Sequence, residues 1–240
     1  MTITKTNCTK FSIAKIDKII YNMNMSVRKI KKSYLSCTGY FASYKNKNQV
    51  AFESVLERDL FMILEFDTNV VKYEEQPMQV FYPFNDKTRR YTPDVLVTYQ
   101  DATQKLIEVK YSSELVKKPE LINKFNTLQE YFSTEHNLIF ELFTDKHINT
   151  LYLDNLKFLY NFAFIPIHTE YTNRIKELLR HHDVIAIKDI LSILATNRNR
   201  QLQYIPYIWN FIFKNMHQVE IDLYKKLTMA TYITLKNKHE

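Results

Sequence analysis

One residue in 240 is glycine, where average usage would give roughly 17. Phosphate-cradling loops of the dinucleotide-binding and P-loop kinds need several glycines so that the backbone can approach the phosphate closely. The shortage therefore argues against a nucleotide-dependent enzyme of those kinds. Heavy use of Lys, Asn, Ile, Tyr and Phe also fits a coding bias, which accounts for part of it. The remaining composition is that of an ordered protein: 45% of residues are hydrophobic and 25% charged. The length suits one large domain or two small ones.

The formal net charge is +7, which makes a polyanionic partner worth testing. It is unevenly spread. Residues 1–50 hold ten Lys/Arg against one acid, Asp17. Residues 51–165 hold 12 against 18, and residues 166–240 hold 11 against seven. A basic arm, an acidic middle and a mildly basic tail indicate three regions. The arm suits nucleic-acid contact, and also a solvated leader. Two cysteines, Cys8 and Cys37, form neither a zinc-site spacing nor a disulfide framework and fit a reducing compartment. The N-terminus has no signal-peptide core, and no 18-residue apolar run occurs. The expectation is a cytoplasmic protein without a membrane span.

Residues 39–54 show two short β-prone pieces around Lys45-Asn46-Lys47-Asn48, the pattern of a hairpin. Residues 53–66 are helical, with Phe52, Leu56, Leu60, Ile63 and Leu64 at helical spacing and Ser54 placed to cap the start. Extended segments follow, with breaks expected at Pro77 and Pro83. Two β-rich runs, RRYTPDVLVTYQ and QKLIEVKYS, are joined by a turn at Gln100-Asp101-Ala102. A helix at 120–135, a buried strand at 137–145 and a helix at 148–162 complete an α/β or mixed-sheet domain. After Pro166 come three helix candidates and a terminal pair of β-prone segments, which suit a small winged-helix-like unit or a plain helical subdomain. Trp209, Phe211 and Phe213 have core spacing.

Pro93-Asp94 and Glu108-Val109-Lys110 carry the chemistry. Asp94 opens one apolar strand, and Glu108 and Lys110 end the next. Side chains at i and i+2 of a strand share a face, so Glu108 and Lys110 project together. Pairing of the two strands as a hairpin brings Asp94 near Glu108. Two close carboxylates favour a divalent cation between them, and hard oxygen ligands suit Mg²⁺. Such a metal activates water and stabilises a transferring phosphoryl group. Lys110 adds a positive charge beside it, and the Val109 carbonyl completes the metal shell. Glu53, Glu57 and Glu65 of the preceding helix are candidates for a third carboxylate. Glu57 lies beside the apolar stripe, and Glu53 is the second choice. Lys117, Lys118 and Lys124 follow as candidate phosphate contacts or as a solvated helix face. Arg174, Arg180, Arg198 and Arg200 suit DNA or solvent. His181 and His182 sit at a helix end as dipole partners or surface residues, not as metal ligands.

In their order and spacing, YFASYKNKNQVAFES, ESVLERDLFMILEFD, NVVKYEEQPMQV, RRYTPDVLV, LIEVK and LIFELFTDKHI resemble the catalytic domain of TnsA-like endonucleases, the nuclease subunits of heteromeric transposases. The resemblance covers residues 39–165. It implies a restriction-endonuclease-like mixed-sheet α/β nuclease domain with a PD-(D/E)xK site, preceded by a basic arm (1–38) and followed by a winged-helix-like domain (166–240). It implies that Glu57, Asp94, Glu108 and Lys110 are catalytic, and that Glu57, Asp94, Glu108 and Val109 hold Mg²⁺, with Mn²⁺ as a substitute. Some relatives carry Gln at the position of Glu108; Glu here keeps the acidic set whole. Gln76 matches a polar family position, for a water, a phosphate or backbone satisfaction. The implied partners are DNA at the transposon ends, a DDE-type transposase subunit and an AAA+ ATPase regulator, in a prokaryotic cytoplasm. A restriction or repair nuclease of the same fold and a non-catalytic DNA-binding adaptor are the alternatives.

Overall fold

A computed structural model describes residues 37–236. Most of the basic arm, including Cys8, lies outside the described residues. Strands β1 (Gly39–Ser43) and β2 (Asn48–Phe52) form the expected antiparallel hairpin. Gly39 is opposite Phe52, and a Cβ there would come within 2.8 Å of the Phe52 ring. Turns elsewhere reach the left-handed region without glycine. Asn85 and Asp86 both have positive φ between β4 (Val80–Phe84) and β5 (Lys87–Tyr91), as a tight hairpin turn of opposite hand to the common type requires. Asn and Asp bear that conformation better than other non-glycine residues.

Helix α1 (Val55–Phe66) starts where Ser54 Oγ accepts from the Glu57 amide. Its apolar surface is wider than the expected stripe. Phe61, Met62 and Phe66 are buried as well as Leu56, Leu60 and Leu64, because the helix lies between the main sheet and later helices. That sheet has the order β3-β6-β7-β8, from β3 (Val70–Glu75), β6 (Val95–Tyr99), β7 (Gln104–Val109) and β8 (Ile139–Phe143). The first three are antiparallel neighbours, and β8 runs parallel to β7. Parallel pairing needs a long crossover, here supplied by α2 (Ser112–Lys117) and α3 (Glu120–His136).

Period-two alternation sorts the central strands onto two faces. Val95, Val97, Ile107 and Val109 join the cluster that contains α1, whereas Leu96 and Leu106 pack with Phe125, Leu128 and Phe132 of α3. A mixed sheet covered on both faces is the expected α/β architecture.

Two expectations need correction. The break expected at Pro83 is absent, because β4 continues through Pro83, paired with Thr88. That hairpin is a separate two-stranded ribbon, and proline is tolerated on such edges. Strand β8 is not the buried strand expected, since only Phe140 is fully buried. It is the outer strand of the sheet and is covered mainly on one side.

Helix α4 (Thr150–Tyr160) leads to α5 (Thr169–His181), α6 (Ile187–Leu194) and α7 (Arg198–Lys214). A three-stranded antiparallel sheet of order β10-β11-β9 accompanies them, from β9 (Ile185–Ala186), β10 (Val219–Ile221) and β11 (Tyr232–Leu235). Trp209 is buried edge-on to Phe158, with ring centroids 4.9 Å apart. Buried asparagines tie loops down. Asn155 Nδ2 donates to the Leu223 and Lys225 carbonyls, 2.8 Å each, and Asn210 Nδ2 donates to the Phe162 carbonyl at 2.6 Å. One apolar cluster runs from Phe41 through α1 and α7 to Ile233. Arg174 donates to the Tyr204 hydroxyl and, at 3.0 Å, to the Leu194 carbonyl, so it braces this packing. Arg180, Arg198 and Arg200 are exposed. Among the described residues no helix is long and apolar enough to cross a membrane.

Candidate active site

The ends of β6 and β7 meet the start of α1 and the second turn of α3 around a cleft of about 690 Å³. Glu57, Gln76, Asp94, Glu108, Lys110 and Lys124 border it, together with Glu53. The antiparallel register sets Val95 opposite Ile107, so Asp94 falls next to Glu108 and Val109. The Val109 amide donates to Asp94 Oδ2 at 2.8 Å, extending the ladder by one side-chain bond.

Lys110 is drawn into the same point. Its ammonium lies 2.9 Å from Glu108 Oε1 and 3.7 Å from Asp94 Oδ2, and donates to the Val109 carbonyl at 2.9 Å. The other Glu108 oxygen, Oε2, accepts from the Tyr91 hydroxyl. Glu108 is buried, with only 4% of its surface exposed, and needs these partners.

Crowding of charge in a poorly solvated site moves the proton equilibria. Burial, and then the Glu108 charge, push the Asp94 carboxyl up to about 8. Burial works against the Lys110 ammonium, but Asp94 and then Glu108 outweigh it and hold it above the usual lysine range. Burial raises Glu57, against hydrogen bonds from the Glu53 amide and Ser54.

Glu57 is committed to the helix start. Its Oε1 accepts from Ser54 Oγ at 2.9 Å and its Oε2 from the Glu53 amide at 2.8 Å, in the manner of a capping box. It borders the cleft from that position. Glu65, the remaining helix candidate, is elsewhere: it accepts from Ser43 Oγ, from Tyr73 at 2.6 Å and from the Lys45 amide at 3.0 Å.

Gln76 has φ of 43°, left-handed backbone just before Pro77. Its amide donates to the Asp94 carbonyl at 2.8 Å. Its Oε1 is the one buried side-chain polar atom without a partner among the described residues. Backbone satisfaction by the Gln76 amide group is therefore not what that oxygen does in this structure. Lys117 and Lys118 are exposed and do not border the cleft, whereas Lys124 does. Sequence reasoning missed Tyr91 altogether. It ends β5, and only the hairpin that β5 makes with β4 brings its hydroxyl to Glu108.

Two carboxylate oxygens and a peptide carbonyl around one positive charge are hard donors of the kind that hold Mg²⁺. The donor set fits such an ion where the Lys110 ammonium stands. Among the described residues, no group of three or more His, Cys, Asp or Glu side chains converges as a ready cage.

A mixed sheet carrying two carboxylates and a lysine at adjoining strand ends is consistent with a nuclease-like domain. Residues 67–145 match the family model of the TnsA-like endonuclease N-terminal domain. Asp94, Glu108 and Lys110 lie inside it, and Glu57 lies before it. No curated protein matches the chain.

Proposed function

We propose that the chain is the DNA endonuclease subunit of a heteromeric transposase, hydrolysing phosphodiesters at the 5′ ends of a transposon during cut-and-paste transposition. The observation that carries this reading is the convergence of Asp94, Glu108 and the Val109 carbonyl on Lys110, within a segment that matches a nuclease family.

Asp94, Glu108 and the Val109 carbonyl would hold Mg²⁺, or Mn²⁺ in its place, with Glu57 assisting from the start of α1. Bound there, the ion supplies an activated water and charge stabilisation at the phosphoryl group. Lys110, released from the carboxylates, places its ammonium against the charge that develops on the phosphate oxygens. Asp94 enters as the carboxylate, since only the ionised group is a good metal ligand. Asp94 and Glu108 act together as an acidic pair whose repulsion favours cation uptake.

Helices α5 to α7, with β9 between the first two and β10 and β11 after the third, have the element order of a winged helix. This supports the reading of residues 166–240 as a winged-helix-like domain for contacts within the transposition complex, which would include a DDE-type transposase and an AAA+ ATPase in a prokaryotic cytoplasm. The domain limits 1–38, 39–165 and 166–240 belong to the same proposal. Lys117 and Lys118 are exposed and are placed here as outer DNA contacts.

The test is cleavage of a plasmid carrying the element ends, by the purified chain with its transposase partner and Mg²⁺. Linearisation that Asp94→Ala lowers by about 10²-fold or more supports the reading. Equal cleavage by Asp94→Ala and wild type contradicts it.

A further inference from the structure

The cleft contains two lysines with opposite commitments. Lys110 is spent on Glu108, Asp94 and the Val109 carbonyl. Lys124, on α3, makes no hydrogen bond or ion pair among the described residues. Its ammonium instead lies 4.8 Å from the ring centroid of Tyr91 and 5.4 Å from that of Phe125. Lys124 is half-buried, and burial lowers its pKa against the pull of Glu108.

An aromatic face attracts a cation through its quadrupole. It cancels none of the charge and accepts no conventional hydrogen bond. Lys124 therefore enters the cleft with three N–H donors that no described residue accepts. The nearby carboxylates are engaged elsewhere. Asp94 Oδ2 holds the Val109 amide, the two Glu108 oxygens hold Lys110 and Tyr91, and the two Glu57 oxygens hold Ser54 and the Glu53 amide. Among the described residues no acceptor pairs with Lys124, and an anionic acceptor suits its charge. A phosphate oxygen is the acceptor that suits such a point charge.

We propose that Lys124 receives a backbone phosphate of the DNA strand lying in the cleft, and that Tyr91 is the positioning residue that fixes it there. This rests on the reading of the cleft as a DNA-cleaving site. Tyr91 has two contacts that set this spacing: its hydroxyl holds Glu108, and its ring seats Lys124. The distance between the acidic pair and the phosphate-binding cation is thereby fixed by one side chain. Lys117 and Lys118, exposed and outside the cleft, have no such seat.

The test measures binding of the full chain to fluorescently labelled duplex DNA in EDTA, where no cleavage occurs, over a salt series. Each phosphate contact contributes about 0.9 to the slope of log K against log salt concentration. Lys124→Gln is expected to weaken binding severalfold and flatten the slope by about one contact. Lys124→Arg, which keeps the charge, retains the slope. Tyr91→Phe keeps the ring and also retains it. Tyr91→Leu flattens it like Lys124→Gln, and the double variant adds nothing further, because both act on one contact. Should Tyr91→Leu not fold, Tyr91→Phe and the Lys124 pair still decide the matter. Wild-type affinity and slope in Lys124→Gln, or an equal loss in Lys124→Arg, overturn the proposal. Parallel cleavage assays separate the two levels. If cleavage depends on Asp94 while Lys124→Gln binds as wild type, the Lys124 assignment alone fails. If Asp94→Ala cleaves as well as wild type, the site reading fails and this inference with it.

Discussion

Helix α1 carries a buried or half-buried carboxylate cluster near each end, and the two are built differently. Near its C-terminus, Glu65 accepts from the Ser43 and Tyr73 hydroxyls and the Lys45 amide. Every donor there is fixed by β1, β3 or the hairpin turn, and the knot fastens the hairpin to the helix. Near its N-terminus, about 12 Å away at 1.5 Å per residue, Glu57 faces the Asp94–Glu108 pair. There two carboxylates share one lysine, and Asp94 is pushed up to about 8. A buried acid with a complete donor set holds the fold together. Acids that must share a donor keep a raised proton equilibrium, and under the proposed function they are the pair that a cation would join.

The largest expected difference is in cleavage. Lys110→Met should lower it by about 10²-fold or more while the chain stays folded. Glu65→Leu should leave cleavage per folded molecule within about twofold. It should cost about 3 kcal/mol of stability, because it strands several buried donors. Urea unfolding alongside plasmid cleavage checks both. A Glu65→Leu variant that is stable but inactive would erase the contrast between the clusters.

The pH dependence of stability comes next. The folded pKa of Asp94 lies above its unfolded value of 3.8, so between those values the folded state binds more protons. The stabilising contribution is full below about 4 and is lost as pH rises toward about 8. Asp94→Asn removes the penalty and should raise the melting temperature at pH 8 by about 4 °C or more, on a scale of about 2–4 °C per kcal/mol. Little change is expected at pH 4. Melting curves at the two pH values read the difference directly. A lower melting temperature for Asp94→Asn at pH 8 would mean that Lys110 already satisfies the pair.

The smallest effect belongs to Gln76. Gln76→Met keeps the shape and removes an unpaired buried acceptor, a group that costs about 1–3 kcal/mol when left unsatisfied. Stability should be unchanged or slightly higher by thermal melting. A clear loss would mean that the amide has a structural partner after all.

The sequence made the central features legible where local rules decide them. Ser54 three residues before Glu57 marked a helix start, and the alternation in VLV and LIEV marked strands with a charged end. A hairpin between them was enough to bring Asp94 to Val109 and Glu108. What remained hidden depends on tertiary packing. Pro83 sits inside a strand because β4 pairs only with β5, leaving its missing amide harmless. Tyr91 reads as one aromatic in a basic run, and its hydroxyl gains meaning only when that ribbon folds over the sheet. Lys117, Lys118 and Lys124 look alike in the chain; helix phase and the Tyr91 ring single out the third. With glycine nearly absent, Asn85 and Asp86 make the left-handed turn that glycine would otherwise supply.

The most direct test is a crystal structure of the full chain soaked in Mn²⁺. The expected result is one ion bound by Asp94, Glu108 and the Val109 carbonyl, with the Lys110 ammonium displaced from those oxygens toward the open cleft. An ion-free site at saturating Mn²⁺, with Lys110 still bridging the two carboxylates, would contradict the reading of this cluster as a metal-dependent nuclease centre.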